Sequence, residues 1–325
     1  YKADLGVEVG LLQNRLMFQV DGFYNNRKNI ACEGAGTVSD VIGIGVPVIF
    51  TGETINYGAE VSATWRQTVG DFSYNIGANF SYARNRIIEA SQEPVPYEWQ
   101  EISGTRISEM YGYVPDGFYQ AEDFNADGSL KDGVVASGLV STLRPGDIKY
   151  EDLNSDGLID ENDAKYHGVS SLPSMYYGIN LGAEYKGFGF QMMFQGAGDF
   201  MVNTMLPSVY QPLYNNDKNI SKHYLESYWT AASPEGRYPR LTTESNAHNY
   251  ADSPVWWERG DYLKLRNLYV WYDFGHMIDK VESFKVFFRG HNLFSVDSVR
   301  ILDPEHVSLA YPTTRSMQLG VKLTF

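Results

Sequence analysis

Near the end of the chain apolar and polar residues alternate without a break. Met317, Leu319, Val321, Leu323 and Phe325 share one parity, and Gln318, Gly320, Lys322 and Thr324 take the other. A period of two with one apolar face predicts a β-strand. Phe72, Tyr74, Ile76, Ala78, Phe80 and Tyr82 alternate in the same way with Ser73, Asn75, Gly77, Asn79 and Ser81. So do Met175, Tyr177, Ile179, Leu181, Ala183 and Tyr185 with Gly178, Asn180, Gly182, Glu184 and Lys186. Further strands are read at about 2–12, 15–25, 57–67, 188–197, 262–274 and 284–293, and helical spacing fits none of them.

Strand length and loop length narrow the kind of β protein. Strands of a soluble sandwich usually run to about five or six residues, whereas these run to about ten, with Tyr, Phe and Trp near their ends, as barrel strands with aromatic girdles do. The connections at 12–15, 67–71 and 186–187 are short, while those at about 26–56, 85–105, 120–173, 198–261 and 294–313 are long. Short turns at one end and long loops at the other match an outer-membrane barrel, and a compact soluble domain rarely carries structureless connections of such length. A large soluble sandwich or propeller is the competing architecture, but no repeat of fixed period supports a propeller. The longest apolar stretch, within 41–50, is too short and too rich in Gly and Pro to span a bilayer as a helix. A barrel leaves no such hydropathy peak.

Composition fits a folded chain: of 325 residues 43% are hydrophobic and 14% aromatic, well above what disordered segments carry. Lys and Arg number 26 against 40 Asp and Glu, a net charge of −14. Nucleic-acid binding draws on clustered cations, so nucleic acid is not expected as a partner. Cys32 is the sole cysteine, which excludes an internal disulfide and a cysteine metal cluster. No basic, apolar leader precedes the patterned opening at Tyr1, and the chain reads as a mature or truncated product.

The sharpest chemical motif is an acidic, EF-hand-like loop inside 145–170. Asp152, Asn154, Asp156, Asp160 and Asp163 stand at positions 1, 3, 5, 9 and 12, Gly157 at the sharp turn and Leu158 where a carbonyl is offered. A hard cation asks for this set of oxygens, and Ca²⁺ suits the ligand number and the flexible loop better than Mg²⁺. Asp163 in place of Glu shortens the last arm. The competing reading is an acidic turn whose Asp and Asn bond only to backbone. A weaker echo at Asp123, Asn125, Asp127 and Gly128 has Lys131 and Val134 where ligands are needed, so a turn is expected there. The six histidines are scattered without metal-ligand spacing, no Gly-x-Ser-x-Gly elbow occurs, and an enzyme is not expected. Aromatic residues in the long loops, among them Tyr214, Trp229, Trp256 and Trp257, lie near amides and carboxylates and are candidates for stacking on sugars or peptides. Packing of the loop on itself accounts for them equally.

The run Pro145-Gly146-Asp147-Ile148-Lys149-Tyr150-Glu151-Asp152-Leu153-Asn154-Ser155-Asp156-Gly157 resembles the hallmark of SusC/RagA-type TonB-dependent outer-membrane transporters of the Bacteroidetes. Four more segments are similar to the family in the same order. They are Tyr228-Trp229-Thr230 with Arg237-Tyr238-Pro239-Arg240-Leu241, Asp261 to Leu268, Gly290-His291-Asn292-Leu293-Phe294 with Asp303-Pro304-Glu305, and Tyr311 to Arg315 leading to Phe325. The resemblance implies an antiparallel transmembrane β-barrel of about 22 strands with a plug inside. It also implies a TonB box, a SusD-like surface lipoprotein over the mouth, glycan or peptide substrates, and Phe325 as the signal read by the barrel-assembly machinery. Roughly ten strands are present and neither plug nor TonB box is, so 1–325 reads as the C-terminal half of such a barrel. That half must close with the missing plug-bearing N-terminal half, or with another chain, in outer-membrane lipid, because open edges there are costly. The TonB complex would act through the missing segment. The alternative is a soluble calcium-dependent carbohydrate-binding β protein, which would have to bury its apolar faces against each other.

Overall fold

The structure, a computed structural model, describes residues 1–34, 47–206, 219–244, 246–275, 281–306, 311 and 313–325. Nine strands follow one another in a single antiparallel sheet: β1 (Lys2–Leu11), β2 (Leu16–Glu33), β3 (Val48–Val69), β4 (Phe72–Glu89), β5 (Met175–Tyr185), β6 (Phe188–Gly198), β7 (Tyr262–Asp273), β8 (Ser283–His291) and β9 (Ser316–Thr324). Each pairs with its chain neighbours, and Ser295–Asp297 adds a tenth strand beside the start of β7. Among the described residues no helix is long and apolar enough to cross a membrane.

Pairing register carries the sequence pattern across the whole sheet. One row runs Leu11, Leu16, Trp65, Ile76, Leu181, Met192, Leu268, Gly290, Met317. A row near the turns runs Val69, Phe72, Tyr185, Phe188, Tyr272, Val286, Val321. A slip of one residue in any strand would turn its apolar set to the other side; pairing is continuous through these two rows, and the register shifts lie elsewhere, at Glu53, beyond Arg27 and opposite Met193 and Phe194. No second layer covers this face among the described residues: Leu5 is 77% exposed, Ile76 48% and Leu319 83%. An apolar belt this extensive on an open sheet face is a lipid-facing wall.

Turn chemistry holds that register. Lys186 and Gly187 both take positive φ, 47° and 84°, as a two-residue hairpin turn matched to strand twist requires. At the opposite end the structure departs from expectation, because β2, β3 and β4 run 18, 22 and 18 residues, through much of the loops read at 26–56 and 85–105. Past Asn25 both parities turn polar (Asn25, Asn26, Arg27, Lys28, Asn29). The hydrogen-bonded ladder continues through bulges beyond Arg27. Alternation reports lipid on one face, and it stops where lipid stops although the strands do not.

Buried apolar cores sit in the long connections at that end. Met110, Tyr224, Tyr238, Trp256 and Trp257 form one cluster, and Ile148, Tyr150 and Ile159 another. Short pairings knit the connections together: Glu109–Tyr113 with Ala164–Ser170, Pro115–Phe118 with Ile148–Tyr150, and Met201–Asn203 with Trp257–Arg259. The loops therefore fold as one capped assembly on a membrane wall.

Candidate functional site

Asp147 is the hub of the loop assembly. It is fully buried, and its Oδ1 accepts from Arg240 Nε at 2.7 Å, Asn249 Nδ2 at 2.8 Å and Asn246 Nδ2 at 3.3 Å, while Oδ2 accepts from the Arg144 backbone at 2.8 Å. A buried carboxylate is tolerated only with such pairing. Beside it Gly146 has a φ of 90°, and a Cβ there would come within 2.3 Å of the Trp229 ring. The glycine thus allows both the turn and the close approach of the indole.

His248 forms a second tie. It is fully buried, with Nε2 2.5 Å from the Ile148 carbonyl and Nδ1 2.8 Å from Ser137 Oγ. A carbonyl only accepts, so Nε2 carries the proton and Nδ1 accepts from the serine. Burial pushes the pKa of this imidazole below its ordinary value, against the pull of the Ile148 carbonyl and of Asp147. His248 is a packed residue of the loop assembly.

A bulge joins wall and loops. Register shifts by one residue in β7 opposite Met193 and Phe194, leaving Arg266 as the extra residue, and a bulge re-aims the side chains beyond it. Lys264, 4% exposed, reaches Glu305 Oε2 at 2.8 Å and also bonds Asp303. Arg266 pairs with Glu305 and donates to Gln195 Oε1 at 2.9 Å. The segments 261–268 and 303–305, singled out as family-like, thus form one ionic brace between wall and loop.

The acidic loop is a compact turn. Asp152 accepts from the backbone of Asp156 at 3.2 Å and Gly157 at 2.7 Å. Asn154 Oδ1 accepts from Asp156 at 3.1 Å, and Asp156 Oδ1 accepts from Leu158 at 2.9 Å. Asp160 accepts from Asn162 at 2.8 Å, and buried Asp163 from Leu153 at 2.8 Å and Asp160 at 2.9 Å. Each oxygen retains a lone pair for a cation, yet among the described residues no three His, Cys, Asp or Glu side chains converge as a metal-holding group. Trp99, which the sequence reading passed over, steadies the loop by donating to the Asn162 carbonyl at 2.9 Å while stacked on Tyr97 at 4.4 Å. The weaker echo is a turn, with Ser129 donating backbone and hydroxyl to Asp127 Oδ1.

The aromatic candidates need correction. Trp256 is fully buried among Tyr224, Tyr238 and Tyr250 and donates from Nε1 to the Asn249 carbonyl at 2.9 Å. Trp257 is 4% exposed against His167. Neither ring has a face open to a ligand, so both pack the loop assembly. Trp229 lies on Gly146 and its backbone bonds Tyr238. Tyr214 lies outside the described residues. Phe325 is 84% exposed beyond β9.

Fold and site together define a membrane β-barrel wall roofed by folded loops. No protein-family model matches the chain. It is 22% identical to TonB-dependent receptor P26 of Formosa agariphila over 343 residues, covering 99% of this chain and 34% of that protein. To TonB-dependent receptor P39 of the same organism it is 23% identical, covering 99% and 36%. The fold superposes on the RagAB peptide transporter with a TM-score of 0.71 at 18% identity, covering all of this chain and 35% of that one. On the open-open state of the RagAB peptide importer the TM-score is 0.72. The resemblance to SusC/RagA-type TonB-dependent transporters thus holds in sequence along nearly the whole chain and in fold along all of it. The chain spans about a third of the length of these proteins.

Proposed function

We propose that this chain is the C-terminal barrel portion of an outer-membrane, TonB-dependent importer of glycans or peptides. The observation that carries the reading is the register: it keeps one apolar face toward lipid and one polar face toward a lumen across nine successive strands. In lipid each unpaired backbone group costs several kcal/mol, so the free edges of β1 and β9 pair with the remaining strands of the same barrel. Those strands enclose a plug, and TonB supplies energy through it. A SusD-like lipoprotein meets the folded loops, the side on which a lid would sit, and the protein moves its substrate without making or breaking bonds in it. The RagAB transporter, which shares the fold, is a peptide importer.

Within this reading the acidic loop takes a structural Ca²⁺ on Asp152, Asn154, Asp156, Asp160, Asp163 and the Leu158 carbonyl, drawing together as it binds. The spacing of these oxygens supports it. A soluble carbohydrate-binding protein would need cover for the belt around Leu5, Ile76 and Leu319, and these side chains are open. The test is uptake by cells carrying the full-length protein. Labelled oligosaccharides or peptides from a defined panel should enter only when TonB is present, with the protein in the outer-membrane fraction. Recovery from the aqueous fraction without detergent contradicts the reading.

A further inference from the structure

On the polar side of the wall, β4 to β9 line an open concavity of about 910 Å³. Asn180, Gln191, Asn267 and His291 line it together with two cations, Arg289 and Lys322, and among the described residues no carboxylate does. None of the ion pairs between described residues involves Arg289 or Lys322.

Arg289 is held in place, and Lys322 stands where its charge weakens the sheet. The Arg289 guanidinium lies over the rings of Tyr269 and Phe287, 5.3 and 5.6 Å from their centroids. Phe287 lies against Gly320, where a Cβ would approach the ring to 2.5 Å. Stacking of this kind fixes the plane of a guanidinium and leaves its N–H edge to grip an oxyanion in two places. Lys322 stands directly opposite Lys285 in the β8–β9 ladder, a like-charge pairing that weakens a sheet. Lys285 leans toward Asp273 at 3.8 Å and over Trp271, so Lys322 keeps its charge for the concavity. In a chain of net charge −14, two cations lining a concavity with no carboxylate among its described lining residues, one of them opposite a like charge in the ladder, mark a place where function overrides stability.

We propose that this concavity is a subsite for the carboxylate of an acidic oligosaccharide passing along the lumen wall, an inference that rests on the import reading. Arg289 and Lys322 take the carboxylate. The mixed donors and acceptors of Asn180, Gln191 and Asn267 suit vicinal hydroxyls. An acidic peptide also brings an amino terminus, for which the described residues lining the concavity offer no carboxylate.

The test uses the purified full-length transporter in detergent, titrated calorimetrically with trigalacturonate, maltotriose and triglutamate. Trigalacturonate should bind, more weakly as salt rises. Arg289→Gln with Lys322→Gln should weaken it by about tenfold or more, the worth of a charge-assisted contact, and leave maltotriose unchanged. The variant's β-sheet content and heat-modifiable mobility should match the parent. Failure of trigalacturonate to bind the parent protein, equal binding of maltotriose, tighter binding of triglutamate, or an unaffected variant overturns the subsite. TonB-dependent uptake by the parent protein is scored separately: its absence for every substrate defeats the import reading, whereas uptake with an unaffected variant defeats only the subsite.

Discussion

Asp147 ties segments about a hundred positions apart, receiving Arg240, Asn246 and Asn249 on one oxygen. Removing one partner of a buried ion pair leaves the other charge stranded, at a cost of about 3–5 kcal/mol. Asp147→Ala should therefore loosen 145–150 and 240–249, seen as faster amide exchange there, while exchange in β5 stays unchanged. Burial lowers the pKa of His248 below the ordinary 6.5, and that of His167 likewise. A depressed folded-state pKa means the unfolded chain binds more protons, so the stability these neutral imidazoles contribute is complete above about pH 6.5 and is lost as pH falls below it. Limited proteolysis of the loops should accelerate on acidification through that window, and His248→Gln should flatten the change. At this scale the sequence was only partly legible. Asp147 stood out as a letter in a family-like run, but the partners that make it a hub lie far along the chain. For Trp256 and Trp257 the sequence left stacking on a ligand and packing of the loop open, because an aromatic in a loop gives no sign of what covers it, and burial favours packing.

Elements were far more legible. Every long strand was visible from its alternation, because lipid on one face and a wet lumen on the other impose a period of two. The outer parts of β2, β3 and β4 were not, since water wets both faces there and backbone pairing alone leaves no periodic trace. Nor were the short pairings within the loops, two to seven residues long, which tertiary contacts hold in place. The acidic loop is legible in outline, as its Asp and Asn side chains do turn the backbone. If it takes Ca²⁺, Asp152→Ala with Asp156→Ala should remove about one equivalent of bound ion by elemental analysis and loosen 145–170. Unchanged metal content would refute the assignment.

For the whole molecule, the large hydrophobic fraction and the net charge of −14 divide between places: apolar residues form a belt on one face of the sheet, and acidic residues collect in the loops and at the ionic brace of Asp303 and Glu305. That division makes a membrane wall with a folded roof, and its facing can be measured directly. In the full-length protein with Cys32→Ser, Ile179→Cys and Asn180→Cys would carry a small fluorophore in bilayers whose acyl chains are brominated. The two positions are neighbours in β5, and register sets them on opposite faces. The account predicts strong lipid-phase quenching at 179 and little at 180, with aqueous iodide quenching the reverse. Equal quenching at both positions, or aqueous access to 179, would contradict it.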